Sequence, residues 1–409
     1  SSPQSISISD ERIKQFKHFG NVRLSDGKNL ALFEAVLSEN VNIQRNRVAL
    51  NEIISKKIDQ EQIHGVLSVF EQGGEDYRFT FSAKSSEFDE EESDFVQNKT
   101  DTKRYTYVLG KNETCKTPAD RFYNLSENKS DVVIQDIQHA FSVEKLSKEF
   151  FEKYKKHYQK FVLYLTGDIW KKKGNKYVLK QIQEPSVFLK KVFYGDKKSA
   201  REFVKKLLGR IVFIHFIQKK GWMGCPNEEE WGNGDKQFIF NLFECFSDKE
   251  HFHSKCLADL FYNTLNKTRE NDIFSCEGLE EPLNNTKVPY LNGGLFDAEK
   301  LETRKIDFPE SYFEELIEFF GQYNFTIDED EPNDHEVGID PEMLGHVFEN
   351  LLEDNKEKGA FYTPKVIVQY MCQESIIEYL KTELNNQNIN KINTAIEELI
   401  RNINAEKSS

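Results

Sequence analysis

The chain has 409 residues, of which 38% are apolar and 30% charged, and its formal net charge is −14. Its 33 Phe and 16 Tyr supply enough core-forming side chains to exclude a wholly disordered protein. No apolar run is long enough for a membrane-spanning helix, and the first residues lack the apolar segment of a signal peptide. The six cysteines form no C-x-x-C pair, which favours reduced thiols and a cytoplasmic protein.

The sequence pattern of residues 1–140 predicts a mixed α/β domain. Helical periodicity predicts a helix over residues 28–58. Period-two alternation of apolar residues then predicts short strands, and Gly73-Gly74 between two of them is a hairpin signal. The predicted strands are residues 65–70, 77–81, 104–110 and 132–134.

Helical periodicity dominates residues 141–338, which we interpret as a helical connector. Helices are predicted over residues 143–165 and 199–220, and the second carries apolar residues around one broad stripe, typical of a core helix. His215 lies on this stripe and is interpreted as a core histidine rather than a ligand. Prolines and glycines predict an irregular segment over residues 282–298.

A basic segment runs from Lys145 to Lys220, with 21 Lys or Arg against 6 Asp or Glu, a net charge of +15 within an acidic chain. Such a segment is typical of a surface that meets a polyanion. The alternative is a set of amphipathic helices with solvated lysines. On the first interpretation, the candidate DNA-backbone contacts are Lys171, Lys172, Lys173, Lys190, Lys191, Lys219 and Lys220.

One cluster of potential metal ligands occurs, with the spacing C-x5-H-x-H-x2-C. This spacing matches no common zinc module, so we interpret it as solvated histidines near buried thiols and predict no metal site there. Its members are Cys245, His251, His253 and Cys256.

Residues 339–409 begin with two helix starts. Asp340-Pro341-Glu342 combines an N-cap residue, a proline at the first helical position and an acid in the first turn. Thr363-Pro364 repeats the signal. In the second helix the apolar residues predicted to face inward are Val366, Ile367, Tyr370 and Met371.

Three stretches, in this order, carry a resemblance to a known family. They are residues 207–222 (LLGRIVFIHFIQKKGW), 288–296 (VPYLNGGLF) and 338–364, which opens with GIDPEMLGHVFENLL and closes with GAFYTP. Together they resemble the region ahead of the catalytic domain in large fused restriction–modification enzymes, the type IIG proteins with a gamma-class adenine-N6 DNA methyltransferase. The resemblance covers roughly residues 200–380, and residues 1–140 resemble such proteins more loosely.

The resemblance implies a role for the loop that enters the second helix. By resemblance, Phe361, Tyr362, Thr363 and Pro364 would hold the methionine part of S-adenosylmethionine. The alternative is plain helix capping, since Thr-Pro begins many helices. Two motifs of the family, Asp-Pro-x-x-Gly-Ser-Gly and Asn-Pro-Pro-Tyr, do not occur in these 409 residues. We therefore expect an N-terminal portion of a larger enzyme, whose methyl transfer needs sequence beyond residue 409.

Fused enzymes of this class often carry an N-terminal nuclease of the PD-(D/E)xK type. Its chemistry needs two carboxylates for Mg²⁺ and a lysine near the attacking water. The candidates here are Glu71 and Lys84, followed by Asp59 and Asp76. Ser82 stands where the motif has an acid, so a structural role for these charges is the favoured interpretation.

The sequence thus predicts an α+β protein with regions 1–140, 141–338 and 339–409. The expected function is part of a restriction–modification or phage-defence DNA methyltransferase fusion that binds the backbone of double-stranded DNA. S-adenosylmethionine would be its cofactor in the full-length enzyme, with Mg²⁺ if a nuclease is active. One alternative is a non-enzymatic helical scaffold for a partner protein, and another is an acidic mimic of DNA.

Overall fold

The structure is a computed structural model. It describes residues 3–6, 10–38, 63–73, 76–84, 102–111, 113–127, 131–173, 176–291, 294–297, 301–326, 334–341, 343, 345 and 365–385. Within these ranges the chain is α+β, with a mixed sheet and a larger helical part.

A seven-stranded sheet contains most of the N-terminal residues. Its strands are β1 (Gln4–Ser5), β2 (Ile13–Arg23), β3 (Asn29–Leu37), β4 (Gly65–Glu71), β5 (Asp76–Lys84), β6 (Thr102–Gly110) and β11 (Asp334–Glu336). They lie in the order β1-β2-β3-β4-β5-β6-β11, and neighbours are antiparallel except for the parallel pairs β3–β4 and β6–β11.

The alternation of side chains gives the sheet two different faces. On one face Phe81 and Tyr107 pack against Phe141, and the Tyr107 hydroxyl donates a 2.6 Å hydrogen bond to the Ala140 carbonyl. The opposite face has a separate small core around Phe33. Among the described residues, the helical part therefore packs on just one of the two faces of the sheet.

Helices make up most of the described chain from residue 116 onward. The α-helices are α1 (Lys116–Glu127), α2 (Ile134–Ala140), α3 (Val143–Thr166), α4 (Val187–Lys191), α5 (Lys197–Lys219), α6 (Phe238–Glu244), α7 (Glu310–Phe320) and α8 (Lys365–Asn385). The remaining strands are β7 (Asp168–Lys173), β8 (Lys176–Gln181), β9 (Ile273–Phe274) and β10 (Thr286–Lys287). Short π-helices cover Phe252–Leu257 and Leu260–Leu265, and 3-10 turns cover Lys249–His251, Gly294–Phe296 and Leu301–Lys305.

The helical core is rich in aromatic contacts. Phe150 of α3 stacks on Phe319 of α7 at a centroid distance of 5.2 Å, and Phe161 of α3 contacts Phe308 at 4.7 Å. Helix α5 is buried along most of its length, as its broad apolar stripe predicts. His215 is 6% exposed, which confirms its interpretation as a core residue.

Strand β11 returns to the N-terminal sheet from a distant part of the chain. It pairs in parallel with β6, and Glu336 lies 3.7 Å from Arg78 of β5 in an ion pair whose side chains are 6–7% exposed. Residues 334–336, placed at the end of the predicted connector, thus contribute a strand to the sheet of residues 1–140. The boundaries at 140 and 338 stay predictions.

The structure confirms some predicted elements and corrects others. The hairpin of β4 and β5, strand β6 and helices α3 and α5 are confirmed. The helix predicted over residues 28–58 is wrong at Asn29–Leu37, which is strand β3, and residues 39–62 lie outside the described ranges. Residues 132–134 form no strand, since Ile134 begins α2.

Helix α8 is confirmed, but the prediction of its inward face is wrong. Ile367, Tyr370 and Met371 are 49%, 63% and 58% exposed, because no described element covers that side of the helix. The side chain of Val366 lies outside the described residues.

Candidate nucleic-acid interface

The hairpin of β7 and β8 leaves the end of helix α3 through a tight turn at Gly167. This residue has φ +73, and its amide donates to the Leu163 carbonyl at 2.8 Å, which ends the helix. A Cβ at this position would lie 2.2 Å from the carbonyl oxygen of Gln183, so only glycine fits. The Gly167 carbonyl accepts from the amide of Ile182, which closes the base of the hairpin.

A lysine ties the base of this hairpin to helix α5. The Lys197 ammonium donates to Asp168 Oδ1 at 2.7 Å and to Gln181 Oε1 at 3.2 Å. Asp168 and Gln181 face each other across the first register position of the hairpin. Lys197 therefore binds both strands at once and fixes their direction relative to the first turn of α5.

Exposed lysines lie on this hairpin and on helix α4. Lys171 of β7 and Lys190 and Lys191 at the end of α4 are all exposed. None of the three ammonium groups forms a hydrogen bond or an ion pair with another described residue. We name these three residues, together with Tyr194, the basic surface.

Tyr194 adds an aromatic ring to the basic surface. It is 76% exposed and has φ +53, a conformation rare for a residue with a side chain, and Gly195 follows with φ +85. The turn is held by hydrogen bonds from the Gly195 and Asp196 amides to carbonyls of Leu189 and Phe193. An exposed aromatic ring beside cations is typical of nucleic-acid contacts. The sequence prediction missed this residue, although Phe-Tyr-Gly between two helices was a usable signal.

The seven predicted lysines do not converge on one surface. Lys219 forms an ion pair with Glu113, and Lys220 lies over the Trp222 ring at 5.2 Å. Both residues are at the end of α5 that lies farthest from Lys197, about 33 Å away along a helix of this length. Lys172 and Lys173 continue β7, but their side chains lie outside the described residues.

The nuclease candidates occupy opposite ends of one hairpin. Glu71 pairs with Tyr77 next to the turn of β4 and β5, where Asp76 begins β5. Lys84 ends β5 and pairs with Thr102, seven residues further along the strand. At about 3.3 Å per residue, Glu71 and Lys84 lie roughly 23 Å apart. The structure does not bring them together, and Asp59 lies outside the described residues.

A separate set of polar side chains lies in the middle of the sheet, on one of its faces. Thr80 and Thr106 lie opposite each other with their hydroxyls 3.1 Å apart, next to the buried pair of Arg78 and Glu336. Among the described residues, the carboxylate of this group is Glu336, which is paired with Arg78. The described part of the group therefore lacks the two free carboxylates that a Mg²⁺ site of this nuclease type needs.

The potential zinc ligands are separated in the structure. His251 lies on the surface with its Nδ1 2.9 Å from Asp248 Oδ1, whereas His253 is buried with its Nδ1 2.6 Å from the Ile306 carbonyl. Burial lowers the pKa of His253 to about 4. In the described part of the chain, no three His, Cys, Asp or Glu side chains form a potential metal site.

The predicted cofactor loop, Phe361 to Pro364, lies outside the described residues. The start of the preceding helix is confirmed, because Asp340 Oδ1 accepts a 2.6 Å hydrogen bond from the amide of Met343, as an N-cap residue does. None of the described helices is both long and apolar enough to span a membrane.

Two of the three stretches that carry the resemblance, residues 207–222 and 288–296, contact each other. The guanidinium of Arg210 donates to the carbonyls of Leu295 and Asp297 at 2.7 and 3.0 Å and to the Tyr262 hydroxyl at 2.7 Å. Arg210 belongs to the first stretch and Leu295 to the second. The first and second stretches are therefore in direct contact through Arg210.

Comparison with known proteins shows a similarity over about half of this chain. No family model matches the chain, and no solved structure matches it. A predicted type II restriction enzyme and methyltransferase of Methanocaldococcus jannaschii is 28% identical over 213 residues. The match covers 48% of this chain and 16% of that protein, so the chain spans a small part of its relative's length. Over about half of its length, the chain is therefore similar to a restriction–modification protein.

Proposed function

We propose that this chain is the DNA-binding N-terminal portion of a fused restriction–modification enzyme and that its basic surface contacts the DNA backbone. The observation that carries the proposal is the set of exposed lysines on helix α4 and on a hairpin whose base is held by Gly167 and Lys197. The similarity to a predicted restriction enzyme and methyltransferase supports the same conclusion independently.

The chemistry of the contact follows from the side chains. A lysine ammonium neutralises a phosphate as a point charge and releases condensed counterions, which gives affinity without reading the base sequence. Lys171, Lys190 and Lys191 would act in this way. Tyr194 would add ring contact with a sugar or an exposed base edge. Sequence recognition would then come from other parts of the enzyme.

The adenine-N6 methyl transfer is proposed only for a longer protein. S-adenosylmethionine supplies the methyl group in that reaction, and Phe361, Tyr362, Thr363 and Pro364 would border its methionine part. The main cofactor and catalytic motifs are not among these 409 residues. A role in defence against phage DNA follows from the same family resemblance.

Mg²⁺-dependent cleavage is not part of the proposed function, because Glu71 and Lys84 lie at opposite ends of their hairpin. The non-enzymatic scaffold remains the competing function. A scaffold would leave its lysines solvated, so it would bind DNA weakly or not at all.

Fluorescence anisotropy with a labelled duplex of mixed sequence tests the proposal. Log affinity should fall linearly with log salt between about 50 and about 200 mM, and an unlabelled duplex of unrelated sequence should compete equally well. No binding, or an affinity that does not change with salt, would refute backbone binding and favour the scaffold.

A further inference from the structure

Two buried cysteines from different segments of the helical part lie next to each other. Cys256 belongs to the π-helix Phe252–Leu257, and Cys276 follows strand β9. The sulfur of Cys276 lies 3.3 Å from the carbonyl oxygen of Lys255. This oxygen is within about 3 Å of the Cα atom of the next residue, Cys256, because a trans peptide fixes that distance.

The distance between the two residues is compatible with a disulfide. The sulfur of Cys276 lies no more than about 6 Å from the Cα atom of Cys256. In disulfides the two Cα atoms themselves are usually about 4.4–6.8 Å apart. A bond between the two sulfurs therefore needs no large movement of either segment.

The two thiols also form a hydrogen bond with each other, in which Cys256 donates to the sulfur of Cys276. This bond lowers the pKa of Cys276, although burial and the nearby carboxylates of Asp259 and Glu277 act in the opposite direction. Burial and the same bond raise the pKa of Cys256. Cys276 is therefore the thiol that ionises first, and Cys256 keeps its proton.

The two thiols differ in their access to solvent. Cys276 is 9% exposed and lies between the exposed residues Ser275 and Glu277, whereas Cys256 is 0% exposed. A small oxidant can thus reach Cys276, while the thiol of Cys256 is closed to solvent. An ionisable thiol near the surface with a second thiol beside it is typical of a redox-sensitive pair.

The other four cysteines have different surroundings. Cys225 is buried, and its sulfur lies 3.2 Å from the carbonyl oxygen of Glu230. Cys245 is half-buried, and burial together with nearby carboxylates raises its pKa. Cys115 and Cys372 are exposed. These four thiols serve as internal controls for the pair.

We propose that Cys256 and Cys276 are a modification site at which hydrogen peroxide forms a reversible disulfide. The Cys276 thiolate attacks one peroxide oxygen and the O–O bond breaks, which leaves a sulfenic acid on Cys276 and releases the first water. The sulfur of Cys256 then attacks the sulfur of Cys276. The S–S bond forms, the S–O bond breaks, and the second water leaves with the proton of Cys256.

The reaction is balanced with peroxide as its oxidant, because the two thiols lose two electrons and one peroxide is reduced to two waters. The product would join the π-helix Phe252–Leu257 to the segment that follows β9. Neither cysteine belongs to the basic surface. The site is therefore independent of the proposed DNA contact.

Thiol counting and peptide mapping of the full chain test the site. A Cys115→Ser/Cys372→Ser background removes the two exposed thiols and leaves four. Treatment of the folded protein with hydrogen peroxide should lower the number of thiols, counted after denaturation, from four to two. Mass spectrometry of unreduced peptides should find Cys256 linked to Cys276, and dithiothreitol should restore all four thiols.

Single variants in this background separate the two roles. Cys276→Ser should abolish the loss of thiols. Cys256→Ser should prevent the disulfide but leave a sulfenic acid on Cys276, which dimedone traps. Cys245→Ser is the matched control and should still lose two thiols. If Cys256→Ser does not fold, as judged by circular dichroism, Cys276→Ser and the peptide map decide.

Three results would overturn the proposal. The first is no loss of thiols at a peroxide concentration that oxidises Cys115 in the wild-type chain. The second is a disulfide that joins any other pair of cysteines. The third is an equal loss of thiols in Cys276→Ser and in its parent.

Discussion

The ammonium of Lys197 lies 2.7 Å from the Asp168 carboxylate and so joins helix α5 to the first residue of strand β7. Asp168 is 6% exposed, and Gln181 from the opposite strand is the second acceptor of Lys197. One lysine of the basic segment thus has a structural role. On the hairpin, the exposed Lys171 lies three residues beyond this contact.

Replacing Lys197 by methionine should destabilise the protein by about 1.5–3 kcal/mol, because the buried Asp168 loses a charged hydrogen-bond donor. Urea unfolding followed by circular dichroism measures the difference. Lys191→Met removes the same charge from an exposed site and should change the free energy of unfolding by less than about 0.5 kcal/mol. Equal effects of the two changes would show that Lys197 does not anchor the hairpin.

Gly167→Ala should destabilise the protein by more than about 2 kcal/mol, since its Cβ would meet the Gln183 carbonyl oxygen. Gly73 is the matched control. It also has a positive φ, +65, but an added Cβ would meet nothing within 4 Å. Gly73→Ala should therefore cost only the conformational strain, about 1 kcal/mol. Thermal unfolding of both variants measures the two losses of stability. An equal or smaller loss for Gly167→Ala would show that the turn at Gly167 adapts to a side chain.

His215 should make the stability depend on pH. Its pKa falls from 6.5 to about 3 on folding because of burial. Between these pH values the unfolded chain binds a proton at this residue and the folded chain does not, so the free energy of unfolding decreases as the pH falls through this window.

His215→Phe should therefore reduce the slope of the free energy of unfolding against pH by up to about 1.4 kcal/mol per pH unit within that window. His253, whose pKa is also lowered by burial, keeps its own contribution in both proteins. Urea unfolding at several pH values measures the slope. A direct check is the NMR titration of the His215 ring, and a midpoint near pH 6 would contradict the prediction.

Arg210→Lys should destabilise the protein by about 3 kcal/mol. The guanidinium makes three hydrogen bonds in different directions, and a lysine ammonium cannot reproduce that planar arrangement. Arg23→Lys, at an exposed position, is the control and should be nearly neutral. Denaturant unfolding of both variants is sufficient, and a neutral Arg210→Lys would mean that the Leu295 segment is held by other contacts.

Local patterns predicted the elements that local forces determine. The alternation in β4 and β5 and the Gly-Gly turn between them were sufficient for a hairpin. Strand β3 was mistaken for a helix because its Leu, Ala and Glu residues favour helices, whereas pairing on both edges with β2 and β4 makes it a strand. Strand β11 had no signal at all, since only its contact with β6 defines it.

The candidate site was predictable to a similar degree. Runs of lysine in the sequence identified Lys171, Lys190 and Lys191, which the structure shows exposed. The pairing of Lys219 with Glu113, 106 residues away, could not be predicted from the sequence. For Tyr194, the Phe-Tyr-Gly sequence between two helices indicated a turn, but the exposure of its ring also depends on the burial of Val192 and Phe193 beside it.

Salt-dependent DNA binding by two charge-matched triple variants tests the central proposal most directly. The first variant replaces Lys171, Lys190 and Lys191 with alanine. The control replaces Lys14, Lys267 and Lys305, which are exposed outside the basic segment. The first variant should weaken binding and reduce the magnitude of the negative slope of log affinity against log salt by about 2 to 3. The control should leave both the affinity and the slope unchanged. Equal effects of the two triples, or no effect of the first, would contradict a DNA interface at the basic surface.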